Sequence, residues 1–326
     1  MSGAAPNYQS TILRQHLEEI RFRILTMNTV NLERDRDLLA AIRDQARDLG
    51  DADLELYALN NYGLTYLVFG ELERAYQEFT AGVERATAYA NEARWLTFQL
   101  NQGVTRLVQR DLSAARALLE GFLPRLRAAS VNPENSARLY LTYAYLAITT
   151  ADLYDYPAAE SYARALLDRW ETPEMLSIQP VRRVEMMSMA RDAMTSVHIE
   201  RREFSHARGH ANLMLGITVR QVYPLHTNAA YLALLRVSAF SASGHDAEAD
   251  WRRLEQAIDP MIIARAPLLW RLATQGFLRE AVLYRDKGVL NWARRCAEKA
   301  VEMLTAAGAE DHRQRAAAFL AELPNP

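Results

Sequence analysis

Residues 60–79 read NNYGLTYLVFGELERAYQEF. Gly63 sits mid-helix, Gly70 follows seven residues later, Ala75 five after that and Phe79 four after that. A glycine inside a helix costs about 0.5–1 kcal/mol relative to alanine. The cost is offset if two helix backbones must approach closely at that point. Gly63 and Ala75 are expected to face each other across a helical hairpin, with Tyr66 and Phe79 filling the flanking space.

The pattern recurs along the chain. With Ala75 of GELERAYQEF as an anchor, similar segments carry Ala115 (RDLSAARALL), Ala159 (YDYPAAESYA), Ala207 (REFSHARGHA), Ala249 (GHDAEADWRR) and Ala293 (GVLNWARRCA). The anchors are 40, 44, 48, 42 and 44 residues apart, and Ala247 competes with Ala249 in the fifth copy. Each copy has a polar or glycine turn five residues before its anchor. Almost all of the rest reads helical, with apolar residues recurring at three and four, giving roughly fourteen helices. Asn132-Pro133-Glu134, Thr172-Pro173-Glu174 and Asp259-Pro260 read as helix starts, an N-cap followed by proline at the first helical position. Short connections make neighbouring helices antiparallel.

Residues 56–89 resemble a tetratricopeptide repeat. The family pattern, W-x2-L-G-x2-Y, a small residue, A-x3-F and a second small residue, is met by Leu59, Tyr62, Gly63, Tyr66, Gly70, Ala75, Phe79 and Gly82. Thr87 stands where the pattern has proline. The second copy keeps Gly103, Ala115 and Leu119. The third keeps Ala147, Thr150, Ala159 and Ala163, and the sixth Ala281, Tyr284, Ala293 and Ala297. The resemblance implies an all-α fold: a TPR-like α-solenoid, a right-handed superhelix of stacked antiparallel helical hairpins. The expected organisation is one continuous solenoid. Residues 1–50 supply N-terminal capping helices, 51–305 six TPR-like hairpins and 306–326 a C-terminal capping helix.

Composition excludes several classes. The chain has 326 residues, 50% hydrophobic and 24% charged, which suits a globular core. A formal net charge of -2 favours neither nucleic acid nor a membrane surface. No apolar run approaches the ~20 residues of a membrane span, and MSGAAPNYQS lacks the form of a secretory signal. A single cysteine, Cys296, leaves no internal disulfide and no cysteine-cluster metal site. A reducing cytoplasm is the expected compartment. Only two lysines occur, Lys287 and Lys299, against many arginines. That bias reads as the base composition of a bacterial genome.

The resemblance places the binding groove on the first helix of each hairpin. Asn61 and Asn101 each lie two residues before a copy's helical glycine. In the family an asparagine here hydrogen-bonds the backbone of an extended peptide, a role suited to an amide that donates and accepts. The same register adds Tyr57, Leu64 and Val68, then Thr97, Val104 and Val108, then Tyr145 and Ile148. Asn60 and Leu100 stand where a carboxylate clamp would carry a basic residue, so an apolar groove is expected. Arg191 and Asp192 are the pair expected to face the groove in the fourth copy. Met186, Met187, Met189 and Met194 read as core filling there.

His206 and His210 lie four apart, with Glu203 three before His206 and His198 on the preceding helix. The general-base glutamate of H-E-x-x-H is missing. A metal-dependent activity around His206 and His210 is the enzymatic alternative to a non-catalytic chain. No phosphate-cradling glycine loop, no G-x-S-x-G and no paired catalytic carboxylates stand out. The expected function is a protein–protein or peptide-binding scaffold without catalysis, cofactor or metal. The alternative is a bacterial regulatory module sensing a peptide or small effector and acting on a separate output protein or domain. Trp251, Trp270 and Trp292 pack internally or form a homodimer face.

Overall fold

The computed structural model describes residues 8–25, 32–129, 133–220, 224–241, 244–258 and 267–324. Among them are 16 α-helices and no strand. In chain order these are α1 (Tyr8–Leu25), α2 (Leu32–Asp48), α3 (Ala52–Phe69), α4 (Leu72–Ala88), α5 (Glu92–Val108), α6 (Leu112–Ala128), α7 (Pro133–Asp152) and α8 (Tyr156–Leu167). There follow α9 (Pro173–Ser177), α10 (Pro180–Glu200), α11 (Phe204–Arg220), α12 (Pro224–Phe240), α13 (Gly244–Ala257), α14 (Pro267–Asp286), α15 (Leu290–Ala306) and α16 (Glu310–Glu322). Sequential helices pack on one another as antiparallel hairpins, so the fold is an all-α, TPR-like solenoid. The chain divides into two compact units, Met1–Thr142 and Tyr143–Pro326.

The anchors explain the packing. Ala75, Ala115, Ala159, Ala207, Ala247 and Ala293 are each the fourth residue of a hairpin's second helix. None is more than 1% exposed. In the fifth copy Ala247 is therefore the anchor, since Ala249 is exposed. One turn later come Phe79, Leu119, Ala163, Ala211, Trp251 and Ala297, all buried. The register holds because i and i+4 share a helix face.

Gly63 faces Phe79 rather than Ala75. A Cβ on Gly63 would lie 2.5 Å from Phe79 Cε1, and one on Gly103 would lie 2.6 Å from Leu119 Cδ2. Gly82 makes the same room for Phe98 of the next hairpin. Thus a large side chain of one helix is seated in the glycine notch of its neighbour, within hairpins and between them.

The turns share one backbone form. Gly70 adopts φ 77°, and the Gly70 and Glu71 amides donate to Leu67 O and Tyr66 O. This left-handed closure satisfies the last carbonyls of α3. Ala90, Arg110, Tyr154 and Arg202 adopt the same conformation at φ 51–65° without being glycine. N-caps follow the turns: Asp51, Asn91, Asp111, Asp155 and Thr172 accept from the amide three residues on. Thr172-Pro173 starts α9 as expected, whereas Asn132 and Asp259-Pro260 lie outside the described residues.

In unit 1, α1 and α2 bury Leu17, Ile20, Ile24, Leu39 and Ile42 against α3. In unit 2, Trp251, Phe277, Tyr284 and Trp292 form an aromatic core. Trp251 and Trp292 are 4% and 6% exposed, so both pack internally, and the Trp270 side chain lies outside the described set. Met186, Met187 and Met194 are buried, and Met189 is half-buried. No described helix is long and apolar enough to cross a membrane.

Candidate functional site: the first-helix faces of the two units

In unit 1 the first helices α1, α3, α5 and the start of α7 are joined by a polar ladder. Arg14 of α1 pairs with Asp53 of α3 at 3.0 Å, and Asp53 pairs with Arg94 of α5 at 2.8 Å. The two guanidiniums outweigh the burial of Asp53 and hold its carboxyl down at about 2. Tyr57 donates to Glu18 of α1 at 2.6 Å and accepts from Arg21. Its ring lies 4.3 Å under the Arg94 guanidinium. Burial and the Glu18 bond push the Tyr57 hydroxyl up to about 12. Thr97 accepts from Arg138 Nε at 3.0 Å, and Asn101 Nδ2 donates to Asn60 Oδ1 at 2.7 Å. The links Asp53–Arg94, Thr97–Arg138 and Asn60–Asn101 each span 41 residues.

That step bears on the sequence reading. Asn61 is fully buried, and its Nδ2 donates at 2.8 Å to Tyr57 O in its own helix. Its neighbour Asn60 is the residue linked to Asn101. Consecutive helix residues point about 100° apart, so a one-residue offset decides which asparagine meets α5. Tyr57 is buried, Leu64 and Val68 are half-buried against the α1–α2 core, and Val104 is buried. Thr97, Asn101 and Val108 stay half-exposed.

In unit 2 the first helices meet in an ion network. Arg279 of α14 donates to Asp152 of α7 at 2.8 Å and reaches Asp192 of α10. Arg236 of α12 contacts Asp192 Oδ1 at 3.0 Å, Ser196 at 2.8 Å and Glu280 of α14 at 2.9 Å. Asp152, Asp192, Arg236 and Glu280 are all 5% exposed or less. Burial opposes the charge on Asp192, but Arg236 and Arg279 outweigh it and hold the carboxyl below its usual range. Burial likewise opposes charging Arg236 and Arg279, and the carboxylates raise both. Such a network is strongly destabilised if one partner is removed.

Arg191 and Asp192 therefore part company. Asp192 is in the network. Arg191 turns the other way, with Nη1 3.4 Å from His210 Nδ1 on α11, and is not part of the network. Tyr145 donates to Glu185 at 2.9 Å, and Ile148 is half-buried. The sequence reading missed Asp152, Arg236, Arg279 and Glu280. A signal was present: Arg236 interrupts the apolar run YLALLRVSAF. Beside the network lies a cleft of about 480 Å³, walled by Tyr154, Tyr156, Phe204 and Phe240 and reaching Arg236 and Lys287. Lys287 Nζ is 5.3 Å from the Tyr154 ring centroid and donates to Glu200 at 2.8 Å.

Cys296 is fully buried, and burial raises its thiol well above the usual range, which leaves it in the unreactive protonated form.

The fold these faces belong to is the TPR-like helical repeat solenoid. The chain is similar to the crystal structure of a tetratricopeptide repeat protein from Parabacteroides merdae, with a TM-score of 0.52 and 15% sequence identity, covering 94% of this chain and 98% of that one. No protein-family model and no curated protein matches the sequence.

Proposed function

We propose that the chain is a non-catalytic scaffold that binds a protein segment or peptide on the first-helix face of unit 1. The observation that carries this reading is the Asn60–Asn101 pair beside half-exposed Thr97 and Val108. The pair uses Asn101 Nδ2 and the buried Asn60, which leaves the Oδ1 of half-exposed Asn101 for a ligand backbone. The repeat architecture supports it, because stacked hairpins present extended surfaces suited to peptides. The test starts from peptides selected against the purified protein from a random library. Asn60→Ala with Asn101→Ala should weaken binding about tenfold, the worth of one or two hydrogen bonds. Removing both partners together strands neither amide of the pair, so the fold persists. Unchanged affinity removes this face from the account.

A second reading, a sensor of a small effector acting on a separate protein, is favoured by the unit 2 cleft. Its volume of about 480 Å³ falls among ligand sites, and aromatic walls with three cationic side chains, Arg202, Arg236 and Lys287, against one carboxylate, Glu200, suit an anionic aromatic compound. A thermal-shift screen with such compounds, repeated on Lys287→Ala, tests it. No hit dependent on Lys287 ends this reading.

A further inference from the structure

The hairpin turn between α10 and α11 gathers side chains that neither reading uses. His198 lies in the last turn of α10. Glu203 immediately precedes α11, and His206 and His210 occupy one face of its first two turns. His198 Nδ1 is 2.6 Å from Glu203 Oε2. The His198 ring centroid is 5.4 Å from that of His206. One ligand atom from each of His198, Glu203 and His206 lies within 4.8 Å of the other two. A tetrahedral centre with bonds of about 2.0–2.1 Å sets its ligand atoms about 3.4 Å apart. Side-chain rotation alone covers that difference. Glu203 and His206 are exposed, so they are free to rotate and open to an entering ion.

His210 does not join the set. Its ring stacks on His198 at 18° and 5.2 Å, whereas a metal binds in the plane of an imidazole. Its Nδ1 also faces the Arg191 guanidinium. Arg201, whose charge acts on Glu203, is engaged by Glu160 of α8.

We propose that His198, Glu203 and His206 form a site for a borderline transition-metal dication of the Zn2+ class, with solvent in the fourth position. Two imidazoles and one carboxylate are the donor set such ions take in open tetrahedral sites. Binding replaces the His198 Nδ1–Glu203 Oε2 contact with bonds from both side chains to the metal, His198 ligating through an unprotonated ring nitrogen and keeping its N–H on the other. The ion ties the end of α10 to the start of α11 and closes the turn at Arg202, whose backbone is left-handed at φ 59°.

The full-length chain, stripped with a chelator, is titrated with Zn2+ against a chromophoric competitor. One equivalent should bind saturably and raise the thermal midpoint. His206→Ala and Glu203→Ala should each lower the affinity about tenfold or more. His210→Ala and the distant His16→Ala should leave it unchanged. All four positions are outside the core, and circular dichroism checks that each variant folds. Substoichiometric binding overturns the proposal. So does parental affinity in His206→Ala and Glu203→Ala, and a loss in His210→Ala as large as in His206→Ala overturns the ligand assignment.

Discussion

Replacing Gly63 by alanine isolates the packing rule on which the hairpins depend. In an open helix the change is stabilising by about 0.5–1 kcal/mol, because alanine has less backbone freedom to lose. At Gly63 the new methyl would lie 2.5, 2.9 and 3.1 Å from three atoms of the Phe79 ring. Phe79 is fully buried and cannot swing aside. Overpacking of this kind costs about 1–3 kcal/mol, so the net change is a loss of about 1–2 kcal/mol. Gly121 is the control, for it lies within α6, is exposed, and a Cβ there meets nothing within 4 Å. Gly121→Ala should gain about 0.5–1 kcal/mol. Urea unfolding followed by far-ultraviolet circular dichroism should show the two midpoints moving in opposite directions. Phe79→Leu, which shortens the intruding ring, should recover part of the Gly63→Ala loss while destabilising the parent, a coupling that a double-mutant cycle measures. A Gly63→Ala midpoint at or above the parent's would refute the notch.

Other consequences follow from the same structure. Arg236→Met strands Glu280 and leaves Asp192 with Arg279 alone, and should cost about 3–5 kcal/mol in urea unfolding; a loss under about 1 kcal/mol would mean that the network is solvated. Ala90→Gly relieves a left-handed residue and should raise the thermal midpoint, by up to about 1–2 kcal/mol of stability; a lowered midpoint would count against strain at that turn. Asp53, held down at about 2 by Arg94 and Arg14, binds its proton less readily folded than unfolded. Its contribution is present above the unfolded value of 3.8 and is lost as pH falls toward 2. Asp53→Asn should flatten acid unfolding in that window and leave the neutral-pH slope unchanged.

The fold was legible because its determinant is local and repeated. A small residue must sit where two helices touch, and Ala75, Ala115, Ala159, Ala207 and Ala293 mark those places in the sequence. The fifth copy was ambiguous because Ala247 and Ala249 are both alanine; helix start and burial select Ala247. The partners of Gly63 were less legible, since spacing alone does not say whether a glycine admits a backbone or a ring. The first-helix faces were harder still. Asn60 and Asn101 were both visible, but which of two adjacent asparagines meets the next helix depends on a one-residue offset that only packing sets. Asp152 and Arg279 are 127 residues apart, and no pattern within one copy predicts their meeting. The His198–Glu203–His206 cluster lay in plain sight as H-x4-E-x2-H, yet its convergence depends on the angle at which α11 leaves the turn.

The central claim is that the first-helix face of unit 1 holds the partner. A photocrosslinking residue placed at half-exposed Val108 on α5, and separately at exposed Gln77 on α4, gives the most direct measurement with a selected peptide. The account predicts capture from position 108 and none from position 77. Capture from 77 alone, or equal capture from both, would contradict it.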